Sequence, residues 1–415
     1  MRILWIVNVI LPRIEKMQNK NTNSVYGGWL SGLSDSLLED DSINLCVCYP
    51  HNGIDFYTRG SENNFSFYGL SMKKDKYIKE FSELLDEFKP DVIHFFGTEF
   101  SRSYNLLKVC ENKNYLDNSV VSIQGLVSVY ADHFFPCISN KWKYLFTLTE
   151  LIHKNTLQMN YKNYVTRGLD EIEEIKLAKN IIGRTTWDKA CALRMNSEIN
   201  YYFCNETLRS SFYVDSWSYE LCDKHTIYIS QSTKPLKGFH IFLKALSIVV
   251  KTFPDTKVYV AGDSFINGNW IHGSTYGMYI KHLLKSLKLQ DNVIFLGRIQ
   301  EQEVKSYLLK CNAFVLPSSI ENSPNSLGEA MLLGIPCIAS DVGGVKDMMV
   351  HNVEGYVYPY DEIDLLAYYI LDIFKNREKA DSFSYNAQNH ANITHNRELN
   401  KNRLIEIYKK IGKLS

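Results

Sequence analysis

The stretch from Phe314 to Gly344, FVLPSSIENSPNSLGEAMLLGIPCIASDVGG, limits the possible folds of this chain more than any other. Its first apolar residues predict a buried parallel strand, and the polar turn that follows contains Glu321. Pro324 and the small polar residues after it predict a helix start. Gly334-Ile335-Pro336 predicts the helix end, and residues 337–340 predict the next strand. The loop and the helix start should therefore lie at the carboxyl edge of a parallel sheet, where open α/β sheets bind ligands.

The residue types around this loop indicate what the ligand is. A helix N-terminus presents unpaired N–H groups and partial positive charge, so it suits a phosphate. The carboxylates of Glu321, before the helix, and Glu329, inside it, can accept hydrogen bonds from hydroxyl groups. A ligand with a sugar, a diphosphate and a ribose in a row meets all three requirements, which predicts a nucleotide-sugar.

Glu321 and Glu329 stand eight positions apart. Together with the helix, the Gly-Ile-Pro break and the Gly343-Gly344 loop, they resemble the E-x7-E motif of retaining GT-B glycosyltransferases of family 4. The resemblance is clear from about Thr226 to Ala367. It implies an α/β GT-B fold, in which two Rossmann-like, doubly wound domains face a cleft. On this basis we expect an acceptor-binding domain at 1–202, a donor-binding domain at 203–389 and a C-terminal helix at 390–415 that returns to the first domain.

The same resemblance assigns roles in the donor domain. Glu321 is expected to contact the transferred sugar, Glu329 the ribose and Lys237 the diphosphate. The family usually has arginine six positions before that lysine; this chain has Gln231, and Lys234 is a candidate to supply the missing charge. Further donor contacts are expected at the helix start and in the loop thought to hold the nucleobase of the donor: Ser323, Asn325, Ser326, Leu327, Gly297 and Arg298. No metal ion is expected, because Lys237 and the helix amides would neutralise the diphosphate and no Asp-x-Asp triplet is present.

Two loops of the first domain bear on catalysis. Gly27 and Gly28 resemble the glycine loop after the family's first strand and are expected to approach a ligand, although a flexible turn is the alternative. Many family members have a histidine where this chain has Gln124, which donates hydrogen bonds but cannot act as a base. The remaining candidates for a catalytic base are His94, Glu99 and His133. For each of the two histidines, a structural role is the alternative. The family is thought to use the donor phosphate itself to take the acceptor proton.

Composition narrows the class of protein. Forty-six basic residues balance forty-six acidic ones, which argues against a nucleic-acid-binding protein. No apolar run approaches the roughly 18 residues of a membrane span, and the N-terminus reads as a strand rather than a signal peptide. Nine scattered cysteines fit a reduced cytosol, so we expect a cytoplasmic protein. Residues 140–162 mix aromatic residues with lysines, which predicts either a helix at the inner face of the plasma membrane or a packed helix with solvated lysines.

The sequence therefore predicts retaining transfer of a hexosyl group from a UDP- or GDP-sugar to a glycan acceptor. The acceptor is expected to be lipid-linked and part of a bacterial surface polysaccharide. Two alternatives remain open. One is a sugar-nucleotide epimerase of the same fold, and the other is a sugar-nucleotide-binding subunit without catalysis, which the departures at Gln124 and Gln231 would fit.

Overall fold

The computed structural model describes residues 1–18, 28–51, 59–263 and 265–413. Gly27 lies outside these ranges. The strands, in chain order, are β1 (Arg2–Ile6), β2 (Asn44–His51), β3 (Arg59–Glu62), β4 (Phe65–Ser71), β5 (Val92–Phe96), β6 (Ser119–Ser122), β7 (Asn180–Gly183), β8 (Asn200–Phe203), β9 (Thr226–Ile229), β10 (Lys257–Ala261), β11 (Val293–Gly297), β12 (Ala313–Leu316), β13 (Cys337–Ser340) and β14 (Gly355–Tyr358).

The α-helices are α1 (Pro12–Met17), α2 (Gly28–Leu37), α3 (Lys74–Phe88), α4 (Ser101–Asn112), α5 (Val127–Asp132), α6 (Asn140–Tyr144), α7 (Leu148–Ile152), α8 (Leu157–Leu177), α9 (Thr186–Met195), α10 (Phe239–Thr252), α11 (Thr275–Ser286), α12 (Glu301–Lys310), α13 (Asn325–Leu333), α14 (Val345–Met348), α15 (Ile363–Lys375), α16 (Arg377–Thr394) and α17 (Arg397–Ile411). Strands and helices alternate through most of the chain, as in parallel α/β proteins.

The chain divides into two compact units. The first contains Met1–Ser128, Thr166–Arg209 and His395–Ser415, and the second contains Val129–Val165 and Ser210–Thr394. Each is built on a mostly parallel, Rossmann-like sheet, which confirms the predicted α/β class. These units differ from the predicted ranges in one main respect, because residues 129–165 group with the second unit.

The first unit has an eight-stranded sheet in the order β3-β4-β2-β1-β5-β6-β7-β8. Its strands are parallel except for the antiparallel pair β3 and β4. The inner strands are apolar and buried, as expected where helices cover both faces of a sheet. Leu404, Tyr408 and Ile411 of α17 lie in the hydrophobic core of this unit. The Tyr408 hydroxyl accepts a hydrogen bond from Trp5 Nε1 at 2.9 Å, which fixes the helix to β1.

The second unit has a six-stranded parallel sheet in the order β11-β10-β9-β12-β13-β14. The chain adds β10 and β11 on one side of β9 and then places β12, β13 and β14 on the other side. The point where the winding reverses therefore lies between β9 and β12. Ligands of doubly wound sheets bind at the carboxyl edge of such a point.

The region predicted as one helix at 140–162 is broken, and this prediction was wrong. It contains α6, α7 and the start of α8, because Leu145 adopts an extended conformation and ends α6. Thr147 and Glu150 then form a capping box that starts α7. At the predicted boundary between the first two domains, residues 200–203 form the edge strand β8. No helix in the described ranges is both long and apolar enough to cross a membrane.

Candidate active site at the carboxyl edge of the second sheet

Glu321 and Lys237 meet where the winding of the second sheet reverses. Lys237 Nζ lies 2.6 Å from Glu321 Oε1, and the two side chains are 21% and 7% exposed. The Ser318 hydroxyl donates a second hydrogen bond to the same carboxylate oxygen at 2.7 Å. Lys237 follows β9 and Glu321 follows β12, so the parallel pairing of these two strands brings together residues that are 84 positions apart.

The turn that carries Lys237 is fixed against the loop after β12. Pro235 to Lys237 form one 3₁₀ turn, and Gly238 follows with a φ of 68°. A Cβ at Gly238 would overlap the carbonyl oxygen of Pro317, so only glycine fits this close approach. The Ser319 amide donates to the Leu236 carbonyl at 2.8 Å and closes the two loops on each other. Lys237 is thereby held in reach of Glu321.

A third loop, after β13, supports Glu321 from its backbone side. Gly343 has a φ of 51°, and a Cβ there would overlap the Glu321 carbonyl oxygen. The Gly344 amide donates to that carbonyl at 3.1 Å. The Ser340 hydroxyl donates to the Ser318 carbonyl at 2.5 Å. Three loops from neighbouring strands thus converge on Glu321, the third through its backbone carbonyl.

Helix α13 starts beside this loop without a capping side chain. Pro324 occupies its N-cap and makes no side-chain cap hydrogen bond, so the first-turn amides can face a ligand. Ser323, Asn325 and Ser326 are partly exposed at the helix start. Glu329, one turn further, is 6% exposed. The arrangement offers amide donors for a phosphate between two carboxylates.

Leu327, one of the residues predicted to contact the donor, packs inside the second unit. Its side chain is fully buried in the core. Its amide donates to the Pro324 carbonyl at 3.0 Å. Leu327 packs as the first inward-facing residue of α13 and supports the helix start from inside.

Other predicted donor residues make their contacts away from Glu321. Lys234 Nζ donates to the Tyr164 hydroxyl at 3.1 Å. Gln231 is exposed after β9. Arg298 forms a two-point ion pair with Asp263, with Nη2 at 3.0 Å from Oδ2, and this hydrogen bonding lowers the pKa of Asp263. Gly297 ends β11 with a φ of 73°.

In the first unit, Gln124 belongs to a buried network. Its amide donates to Glu206 Oε1 at 2.8 Å. Glu206 in turn pairs with Arg184 at 2.7 Å, and both charged side chains are under a tenth exposed. Arg184 also donates to the Gln124 carbonyl at 3.1 Å. Gln124 is therefore held by protein contacts at the end of β6. Gly28 begins α2 in this unit.

His94, a predicted catalytic residue, is packed inside the first unit. Its Nδ1 lies 2.6 Å from the Tyr408 hydroxyl and its Nε2 lies 2.6 Å from the Ser122 hydroxyl. The ring stacks on Phe96 at 3.8 Å. Burial lowers the pKa of His94 to about 3. Since both nitrogens contact protein groups and the ring resists protonation, the geometry fits a structural histidine rather than a base.

Glu99 is better suited to accept a proton than His94. Burial raises the pKa of Glu99 to about 7, near the value that a general base needs at neutral pH. Its carboxylate bends back over Gly97 at the end of β5. His133 makes its described contact through the backbone, where its carbonyl accepts from the Ser319 hydroxyl at 3.1 Å.

Two contributors to these sites were not predicted. Ser318 orients Glu321, and Glu206 holds Gln124 and Arg184. Ser318 could have been predicted, because a hydroxyl in the loop after a buried parallel strand lies at the carboxyl edge of the sheet, where ligands bind. Glu206 carried no such signal, since it contacts residues from β6 and β7 only through the tertiary fold.

Comparison with known proteins agrees with this geometry. Residues 219–390 match the family described as glycosyl transferases group 1. The amylovoran biosynthesis glycosyltransferase AmsK of Erwinia amylovora is 34% identical over 89 residues, 20% of this chain and 22% of that protein. N-acetyl-alpha-D-glucosaminyl L-malate synthase of Bacillus anthracis is 29% identical over 156 residues, 38% of this chain and 37% of that protein. The chain thus spans less than half the length of these curated relatives.

The fold is shared over a far greater length. HepE from Anabaena, solved in complex with UDP-glucose, superimposes with a TM-score of 0.69 and 15% identity, covering 99% of this chain and 100% of that one. The predicted GT-B fold is thereby confirmed. The second unit therefore has the sequence pattern of glycosyl transferases group 1, within a chain of GT-B fold.

Proposed function

We propose that this chain transfers a sugar from a nucleotide-sugar to a glycan acceptor, with retention of the anomeric configuration. The observation that supports this most directly is the pair of Lys237 and Glu321 beside the uncapped start of α13. A cation, a helix start without a capping side chain and two carboxylates match the diphosphate, the transferred sugar and the ribose of such a donor.

Each group has a distinct part in the proposed reaction. Lys237 and the α13 amides stabilise the negative charge that grows on the leaving diphosphate. Glu321 contacts the sugar and stabilises the positive charge that develops near its anomeric carbon. Glu329 binds the ribose hydroxyls. HepE, a protein of the same fold, was solved with UDP-glucose, which favours a UDP-sugar as the first donor to test.

The proposed site uses no metal ion. Lys237 and the helix amides already supply positive charge where a divalent cation would otherwise bridge the two phosphates. We expect EDTA to leave the rate of transfer unchanged, and added magnesium to raise it by less than twofold. Loss of activity on chelation that returns with a divalent cation would contradict this part of the proposal.

The function is tested by binding, then by product identity. A thermal-shift panel of nucleotide-sugars should identify a donor, since a ligand at about 100 times its dissociation constant adds about 2.7 kcal/mol of stability. Incubation of that donor with a lipid-linked glycan pool should then give a glycosylated product and free nucleotide, with the donor's anomeric configuration retained in NMR spectra. Release of an altered nucleotide-sugar would favour the epimerase, and tight binding without turnover would favour the binding subunit.

We further propose that the acceptor is lipid-linked and that the second unit docks on the membrane that holds it. The docking surface, called here the basic aromatic surface, consists of residues 140–152 and 270–273. The Leu148 and Thr149 amides donate to the carbonyls of Trp270 and Ile271, so these two segments form one surface. Large apolar side chains on it are half or more exposed: Tyr144, Phe146, Leu148, Ile152 and Ile271.

The charge of this surface and of the chain segments that flank it favours anionic lipid. Residues 133–165 contain four lysines and a single acid, Glu150, and residues 265–290 contain three lysines and no acid. Glu150 is buried, where it accepts hydrogen bonds from the Thr275 amide and hydroxyl. In a chain without net charge, this local excess of lysines beside exposed aromatic residues is typical of interfacial binding.

Vesicle sedimentation tests the docking. The protein should bind vesicles that contain 30% phosphatidylglycerol and not vesicles of phosphatidylcholine alone. The double variant Phe146→Ser/Ile152→Ser should lose binding by about 100-fold or more, since each buried apolar side chain contributes about 1.5–3 kcal/mol and every 1.4 kcal/mol is about tenfold. Ile393→Ser, an exposed isoleucine on α16, is the matched control and should bind as the parent does. Equal binding to both kinds of vesicle, or to neither, would refute the docking.

A further inference from the structure

The first unit contains a cavity of about 1090 Å³ at the carboxyl edge of its sheet. Residues that follow β1, end β2 and follow β4 line it, together with the start of α4. The order of the sheet places β1 and β5 at the reversal of its winding, so the cavity lies where doubly wound sheets bind ligands. None of the residues discussed for the Lys237–Glu321 site belongs to it.

Three cations line this cavity: Lys74, Arg102 and Lys108. Lys108 lies over the Tyr104 ring at 4.4 Å, and Arg102 lies over the Tyr77 ring at 5.3 Å. In the described part of the chain none of the three forms an ion pair with a carboxylate. Other basic residues of this unit do form ion pairs with acids at the surface, as Lys113 does with Asp86. Asp170 is the single carboxylate among the residues that line the cavity.

Arg102 is the most informative of the three. Its Nη2 contacts Met72 Sδ at 2.8 Å, and its Nε is buried with no hydrogen-bond partner in the described ranges. The rest of the side chain is partly exposed, but leaving this one buried N–H without a partner is costly, and an anion bound beside it would offset that cost. Arg102 also stands in the first turn of α4, whose N-cap residue, Phe100, provides no capping side chain. The helix start and the guanidinium therefore favour the same sign of ligand charge.

We propose that this cavity binds an anionic group, a phosphate or a carboxylate, that the acceptor carries. The aromatic rings of Tyr77, Tyr104 and Phe100 give the cavity apolar walls on which a sugar ring can pack. An acceptor with an acidic sugar or a phosphate next to its sugars would use both features. The assignment of the anion to the acceptor rests on the proposed function, whereas binding of the anion to the first unit does not.

The test measures anion binding without donor or acceptor. Calorimetry on the full chain uses inorganic diphosphate and galacturonate as probes for the two anionic groups, and galactose as the neutral probe. The Lys237→Ala variant serves as the parent, so that the second unit contributes little to diphosphate binding. At least one anionic probe should bind, and galactose should bind at least tenfold more weakly.

Adding Arg102→Met, which keeps an apolar chain against Tyr77, should weaken that binding tenfold or more. The pair Lys74→Met/Lys108→Met should weaken it similarly, and both lysines are exposed, so folding is not at stake. Lys113→Met, at the far end of the same helix and paired with Asp86, is the matched control and should leave anion binding unchanged.

No binding of either anion at millimolar concentration, or binding that neither set of variants weakens, would overturn the proposal. Anion binding as predicted in a protein that transfers no sugar would reject the proposed function and leave this site standing.

Discussion

At the scale of single residues, Lys237 is the group whose loss should change the chemistry most selectively. Its ammonium is 2.6 Å from Glu321, close enough to bridge that carboxylate and a donor phosphate. Negative charge on the leaving diphosphate is greater in the transition state than in the bound donor, so Lys237→Ala should lower turnover by about 10²-fold and donor affinity by much less. Lys234→Ala should cost less in both, since Lys234 contacts Tyr164. A fully active Lys237→Ala enzyme would show that the diphosphate binds elsewhere.

Glu329 tests the ribose end of the donor site. If its carboxylate binds ribose hydroxyls, Glu329→Ala should weaken the free nucleoside diphosphate as well as the intact donor. One charge-assisted hydrogen bond is worth about 1.5–3 kcal/mol, which is roughly a 10- to 150-fold change in the dissociation constant. Calorimetry with the nucleoside diphosphate measures this directly. Affinity within twofold of the wild type would remove Glu329 from the ribose site.

At the scale of elements, alanine substitutions at two glycines with left-handed backbones distinguish the cost of backbone strain from the cost of a steric clash. Gly238 has a φ of 68° and packs against the Pro317 carbonyl, whereas Gly297 has a φ of 73° and no atom within 4 Å of its Cβ position. Gly297→Ala should therefore cost only the conformational strain, about 1 kcal/mol. Gly238→Ala should cost clearly more and should also displace Lys237. Urea unfolding and turnover of the two variants compare them, and equal losses would contradict the close packing of the two loops.

The same elements show what the sequence could and could not predict. The unit from β12 through α13 to β13 was predictable, because Pro324, Gly334 and the flanking apolar runs are local signals for helix and strand ends. The contact of Lys237 with Glu321 needed the pairing of β9 with β12, and the sequence indicated it only through the family resemblance. The break at Leu145 was missed because the aromatic residues and lysines of 140–162 also satisfy helical periodicity. The burial of His94 and Leu327 was not predicted, because it depends on tertiary neighbours, Tyr408 and the α13 core.

At the scale of the whole molecule, two buried histidines predict how stability depends on pH. Burial lowers the pKa of His94 in the first unit to about 3 and that of His240 in the second to about 4. The unfolded chain binds a proton at each below about pH 6.5, whereas the folded chain does so only near the lowered values. Each histidine therefore stabilises the fold less as pH falls from about 6.5 towards 3 or 4.

A comparison of wild type with His94→Gln separates the effect of His94 on the pH dependence of stability from the effect of the carboxylates. Between pH 6.5 and pH 5.5, the wild type should lose about 1 kcal/mol of unfolding free energy relative to the variant. Urea titrations at the two pH values give this difference. A difference that stays constant, or grows in favour of the wild type as pH falls, would show that His94 is protonated in the folded protein.

The central claim is that Glu321 acts on the transferred sugar in a working glycosyltransferase. Glu321→Gln keeps the shape and part of the hydrogen bonding to Lys237 and Ser318, and it deletes the charge. The decisive measurement is transfer from the identified donor by wild type and Glu321→Gln side by side, with donor affinity measured on both. We predict donor affinity within about threefold and turnover lower by about 10²-fold or more, the scale of losing one preorganised electrostatic group. Equal turnover in the two proteins would contradict the catalytic role of Glu321.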